Sequence, residues 1–183
     1  SEHALVATSL YHLGAVREHQ GKPTEAFELF QRALALRRRL LGNNTAGVAE
    51  MLTALASLTW YMTSPQEAET YAREALAVLS RLPADERGSL TLASAQEALG
   101  MALHAQGKRE EAVRLMRNVG ACRKTLLETQ HPDYGYALYH LGEVLTGAAR
   151  FEEAEVAFRE ALAIYRQTLG DRHRRTAFCY EKL

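Results

Sequence analysis

Net charge is the first thing this sequence lacks. Its 22 Lys and Arg residues are balanced by 22 Asp and Glu residues. A neutral chain is a poor match for nucleic acid, because neutralising phosphates requires a net basic surface. Long apolar runs are missing too. No stretch approaches the roughly 18 apolar residues that a membrane-spanning helix needs. No signal peptide opens the chain, and the segment reads as a piece of a longer protein. Cysteine is scarce: Cys122 and Cys179 stand alone, without CxxC or zinc spacing. Two idle thiols predict a reducing compartment, the cytoplasm, and no metal site. HExxH, GxSxG and the phosphate loop are all absent, so the segment is expected to be neither an enzyme nor a cofactor carrier. Only four prolines interrupt the chain. With so few breakers and so much Ala, Leu, Glu and Arg, helix is favoured. The local basic clusters at Arg37 to Arg39 and Arg172 to Arg175 read as solvated helix ends or a linker.

What the chain does have is repetition. HQGKPTEAFELFQRAL at 19–34 returns as YMTSPQEAETYAREAL at 61–76, AQGKREEAVRLMRNVG at 105–120 and GAARFEEAEVAFREAL at 147–162. A fixed period of this length marks a repeat array. Within each unit apolar residues recur at helical spacing twice, with a break between. Ala7, Leu10, Leu13 and Gly14 form one stripe; Ala26, Phe30, Ala33 and Leu34 form the next. Gly21 and Gly107 suit left-handed C-caps. Pro23 and Pro65 suit the first turn of a helix. Ser64 and Glu67 have capping-box spacing. These signals predict helices at 3–20, 23–41, 46–62, 65–81, 88–105, 109–127, 133–147 and 151–169, and a partial ninth from 174.

Four columns align across the units: Leu13, Leu55, Leu99 and Leu141; Gly14, Ala56, Gly100 and Gly142; Ala26, Ala68, Ala112 and Ala154; Phe30, Ala72, Met116 and Phe158. A small residue recurring inside a helix predicts close approach of its partner helix. Gly120 breaks the pattern. It stands where Leu34, Leu76 and Leu162 sit, and suggests a bend, a close contact or simple tolerance. On these residues, Leu13-Gly14 with Ala26-x3-Phe30 and Leu141-Gly142 with Ala154-x3-Phe158, the chain resembles the tetratricopeptide repeat family. The long period, the QGKxxEA turn and the leading His3, His131 and His173 are similar to the variety in kinesin light chains.

The resemblance implies an all-α, right-handed superhelical solenoid of antiparallel helix pairs. It would be one domain over 1–183, with repeats at about 3–44, 45–88, 89–130 and 131–172. A partial fifth would occupy 173–183, with Thr176, Ala177, Tyr180 and Leu183 in phase. The family's register also implies a concave binding groove along the first helix of each pair. It would be lined by Tyr11, His12, Glu50, Trp60, Tyr61, Glu97, Met101, His104, Tyr136, Tyr139, His140 and Glu143. With Glu18, those columns hold four glutamates, five Tyr or Trp rings and no lysine or arginine. They therefore point to a protein or peptide partner with basic and apolar side chains. The groove histidines suggest a pH-sensitive contact.

Two departures from the family narrow the partner. The positions before the column leucines read Tyr11-His12, Thr53-Ala54, Glu97-Ala98 and Tyr139-His140. None has the paired asparagines with which kinesin light chains clamp a peptide backbone. The Lys, Asn and Arg of chaperone-binding relatives are missing as well. The leading expectation is a non-catalytic interaction module. The alternatives are a regulatory or sensor arm of a larger NTPase, kinase or protease, and self-association.

Overall fold

The computed structural model describes residues 2–62 and 64–183, except the side chains of residues 2–4 and Tyr61. Among the described residues the fold is all-α, without a strand. The helices are α1 (Glu2–His19), α2 (Pro23–Leu41), α3 (Ala46–Met62), α4 (Pro65–Arg81), α5 (Ser89–Ala105), α6 (Arg109–Leu126), α7 (Pro132–Gly147), α8 (Phe151–Leu169) and α9 (Arg174–Lys182). Every boundary lies within one residue of the sequence expectation. The chain forms two compact units, Ser1–Ala102 and Leu103–Leu183, and the division falls inside α5.

In the first unit α1 packs on α2, α2 on α3 and α3 on α4. Phe30, Leu34, Val48, Leu52, Leu55 and Leu79 form its core, joined by Leu82 and Ala95. In the second unit α6 packs on α7, α7 on α8 and α8 on α9. Tyr134, Leu138, Ala161, Ile164, Tyr165 and Cys179 cluster there.

The recurring small residue has the role its column predicted. A Cβ on Gly14 would lie 2.6 Å from Phe30 Cε1, and one on Gly142 would lie 2.6 Å from Phe158 Cε1. Each ring is thus seated against the bare backbone of the partner helix. Phe30 is 1% exposed and Phe158 2%. Burying a phenylalanine so fully contributes about 1.5–3 kcal/mol. In α3 and α4 the matching residues are Ala56 and Ala72, both wholly buried.

The turns within pairs repeat a second device. Gly21 N–H donates to the Glu18 carbonyl and Lys22 N–H to the Arg17 carbonyl. Gly107 and Lys108 bond to His104 and Leu103 in the same way, and Ala149 and Arg150 to Thr146 and Leu145. The pivot residues are left-handed: Gly21 at φ 73°, Gly107 at 76° and Ala149 at 59°. Ala149 alone among these three carries a Cβ there, and a Cβ makes this region unfavourable. At α4, Ser64 Oγ accepts from Glu67 N–H (3.3 Å), while Ser64 N–H donates to the Thr59 carbonyl. Only the Ser64 arm of the box therefore forms.

Two of the unit-leading histidines, His131 and His173, are caps. His131 Nδ1 accepts from Asp133 N–H (3.1 Å), and His173 Nδ1 from Arg175 N–H (3.2 Å). The His3 side chain lies outside the described residues. Arg39, Arg172 and Arg174 are exposed, as solvated ends would be, but two members of the first arginine cluster depart from that expectation. Arg37 donates to Thr8 Oγ1 (2.9 Å), and Arg38 pairs with Glu74 on α4. The charge that sequence alone assigns to solvent instead braces α2 against its neighbours.

Gly120 is buried in α6, and a Cβ there would meet nothing within 4 Å. No close contact requires glycine at this site. Gly120→Ala is therefore expected to stabilise the chain by about 1 kcal/mol through helix propensity. Ala149→Gly should add a similar ~1 kcal/mol by removing left-handed strain. Urea unfolding checks both, and a lowered midpoint in either variant would refute its explanation.

Candidate functional site

The groove columns lie on the faces of the first helices. In the first unit Tyr11 is half-buried, its ring centroid 5.4 Å from that of Phe30 and 5.6 Å from that of His12. Burial first, then the charges of Glu50 and Glu18, push its hydroxyl above the ordinary tyrosine range. Burial likewise raises the Glu18 carboxyl, with His19 opposing it. Tyr11, Glu18 and Glu50 therefore share one electrostatic neighbourhood. His12 and Glu50 are exposed, and Trp60 is half-buried. The Tyr61 side chain falls outside the described residues. Glu97 and Met101 are only 7% and 2% exposed, so both are buried rather than displayed.

In the second unit the residues on α7 form a continuous cluster. His140, 6% exposed, lies between Tyr136 at 4.1 Å and Tyr139 at 5.9 Å between ring centroids. Tyr139 also meets Phe158 (5.6 Å) and Phe178 (6.5 Å). Its hydroxyl donates to Glu143 Oε1 at 3.3 Å. Burial, then the Glu143 charge, raises the Tyr139 pKa strongly, so it is a neutral donor at any ordinary pH.

The fifth unit supplies what the four-unit columns did not show. Lys182 Nζ lies 3.2 Å from Glu143 Oε1. The Arg175 guanidinium sits 4.9 Å from the Tyr136 ring centroid and 6.0 Å from that of Tyr165. A groove read as free of Lys and Arg thus has two cations at this end. Their signal was present in the sequence, because α9 continues the same register. Cys179, on the core-facing side of this helix, is fully buried, and burial pushes its thiol up to about 11. It is an inert core residue. Among the described residues no group of His, Cys, Asp or Glu has the spacing of a metal site, and no helix is long and apolar enough to cross a membrane.

His104 closes the cluster. Its ring lies against the backbone of Gly147, leaving no room for a Cβ. Its Nδ1 is buried without a hydrogen-bond partner among the described residues. Burial lowers its pKa; Glu143 opposes this, while Arg109, His140 and Lys182 reinforce it. A histidine depressed in the folded state contributes stability above its unfolded pKa, and that stability is lost as pH falls through the folded value. The drop in Tm from about pH 7.5 to about pH 5.5 is therefore expected to be smaller in His104→Gln than in the parent. Equal drops would show that His104 does not carry the effect.

Comparison with known proteins agrees with the repeat fold. The family model described as tetratricopeptide repeat matches residues 5–81, 91–167 and 137–183. The chain is 26% identical over 183 residues to Protein KINESIN LIGHT CHAIN-RELATED 2 of Arabidopsis thaliana. That match covers 100% of this chain but only 27% of the plant protein. A crystal structure of a Podosopora anserina putative kinesin light chain with nearly identical TPR-like repeats superposes with a TM-score of 0.74 at 22% identity. It covers 100% of this chain and 86% of the other. A Rap protein complexed with Competence and Sporulation Factor superposes with a TM-score of 0.79 at 16% identity, over 96% of this chain and 46% of that one. Repeat register, helix pairing and family match converge: the chain belongs to the tetratricopeptide repeat family.

Proposed function

We propose that the chain is a non-catalytic interaction module that grips a peptide or partner segment along the first helices of its repeats. One observation carries the reading. Tyr136, His140, Tyr139 and Glu143 form a continuous aromatic and carboxylate face on α7, backed by Phe158. Such a face offers large apolar area with polar handles at low entropic cost, the composition of an interface anchor. The Tyr11 and Glu50 neighbourhood repeats that chemistry in the first unit. A neighbour of this fold was solved with Competence and Sporulation Factor, which supports a peptide or protein as the occupant. The exposed carboxylate of Glu50 favours basic side chains in the partner.

A second reading rests on the contacts of α9. Lys182 and Arg175 already engage Glu143 and Tyr136 from within the same chain. A groove occupied by its own protein suits a regulatory arm of a larger multidomain enzyme, whose partner would be a neighbouring domain.

A paired capture from lysate of the source cells separates these readings. One bait is the parent chain and the other carries Tyr139→Ala and Glu50→Lys, with circular dichroism confirming that both are folded. A protein retained by the first bait and reduced at least tenfold on the second is the expected result. Identical captures would refute a groove acting on other molecules and favour the regulatory arm.

A further inference from the structure

The face of α7 turned away from Tyr139 borders a cleft of about 390 Å³ between α6, α7 and α8. Leu138, Leu141 and Leu145 form its floor with Ala157, and Val156 is 65% exposed at its edge. Glu152, Glu153 and Glu160 stand on its rim with Arg117. Glu153 is paired with Arg117 and with Arg150 (2.6 Å). Those two arginines, Arg150 first, hold its carboxyl below the ordinary range. The Tyr134 hydroxyl donates to Glu160 at 2.9 Å.

The repeat supplies an internal comparison for this cleft. Ala157 belongs to a column whose other members are Leu29, Tyr71 and Leu115. In the first unit the large residue is in place. Tyr71 packs on the cluster containing Leu52 and Leu55, the register equivalents of Leu138 and Leu141. Both leucines are wholly buried. The Tyr71 hydroxyl donates to Glu67 Oε1 at 3.2 Å and is hydrogen-bonded to the Gln31 side chain. Gln31 and Glu67 are the register equivalents of Arg117 and Glu153. The fourth unit thus keeps the apolar floor and the polar pair at the end of the slot, and omits the ring between them.

We infer that this cleft is a second docking site, and that its occupant is a tyrosine side chain on a partner segment flanked by basic residues. The ring would lie on Leu138, Leu141 and Leu145 as Tyr71 lies on its own floor. Its hydroxyl would meet Arg117 and Glu153. Glu152 and Glu160, one turn to either side of Val156 on α8, favour cations beside the ring. The site is independent of the groove, because the two sets of residues lie on opposite sides of α7.

The test is an NMR titration of the 183-residue chain with p-cresol, then with N-acetylated, C-amidated Lys-Tyr-Lys and Glu-Tyr-Glu. Saturable shifts are expected at the amides of Leu138, Leu141, Leu145 and Val156. Ala157→Tyr refills the slot from within and should weaken p-cresol binding at least tenfold. Ala157→Leu, which copies Leu29 and Leu115, should do the same and guards against misfolding of the tyrosine variant. Tyr139→Ala should leave the affinity unchanged. The basic peptide should bind about fivefold more tightly than the acidic one, the scale of two exposed charge pairs. Absence of saturable shifts, or undiminished binding in Ala157→Leu, would overturn the site. Equal affinity for the two peptides would remove the basic flanks from the proposal.

Discussion

The seating of a phenylalanine against a bare glycine backbone is the contact on which two of the helix pairs, α1 with α2 and α7 with α8, depend. With Gly14 opposite Phe30 and Gly142 opposite Phe158, two helices come close enough for a whole ring to leave water. Closeness fixes the rotation of each helix about its axis. That rotation decides which side chains are core and which remain at the surface. In α7 it turns Leu138 and Tyr134 into the core and leaves Tyr136 and Tyr139 half-exposed. The aromatic face of α7 is therefore a consequence of packing on its other side. Phe158 links the two directly, touching both Gly142 and the Tyr139 ring.

The same rotation leaves room for variation between units. A column can change without disturbing its neighbours, as Ala56 with Ala72 replaces the glycine and phenylalanine pair. At Ala157 the change opens a cleft where other units carry Leu or Tyr. Charge contributes to positioning as well as solvation: Arg38 reaches Glu74, Arg117 reaches Glu153 and Lys182 reaches Glu143. Exposed pairs of this kind contribute little stability individually, on the order of 0–1 kcal/mol.

Much of the fold was legible in the sequence because local signals and the repeat agreed. Gly21 and Gly107 announced left-handed turns, and Pro23 and Pro65 announced helix starts. Ala149 adopts the same left-handed turn without any residue signal, so only its alignment with Gly21 and Gly107 reveals it. The candidate site was less legible. Register assigns Glu97, Met101 and His140 to an open face, yet each is enclosed. A column one step from the core, about 100° round the helix, lies at the boundary, and neighbouring side chains decide its exposure. Arg175 and Lys182 entered from a partial unit, which reaches the candidate site through packing of α9 on α8. The cleft at Ala157 was written in its column, but an alanine in a buried column becomes a cavity only where nothing else fills it.

The most direct test of this account is a double-mutant cycle between Gly142 and Phe158, read by urea unfolding. Gly142→Ala places a methyl where the ring sits, and Phe158→Ala removes the ring; together they recreate the Ala56 and Ala72 combination. If the seated ring sets the helix spacing, the double variant will be more stable than the sum of the single losses predicts. The expected coupling is about 1–3 kcal/mol, the range for residues in contact. Additivity within about 0.5 kcal/mol would contradict the claim that this contact governs the pair.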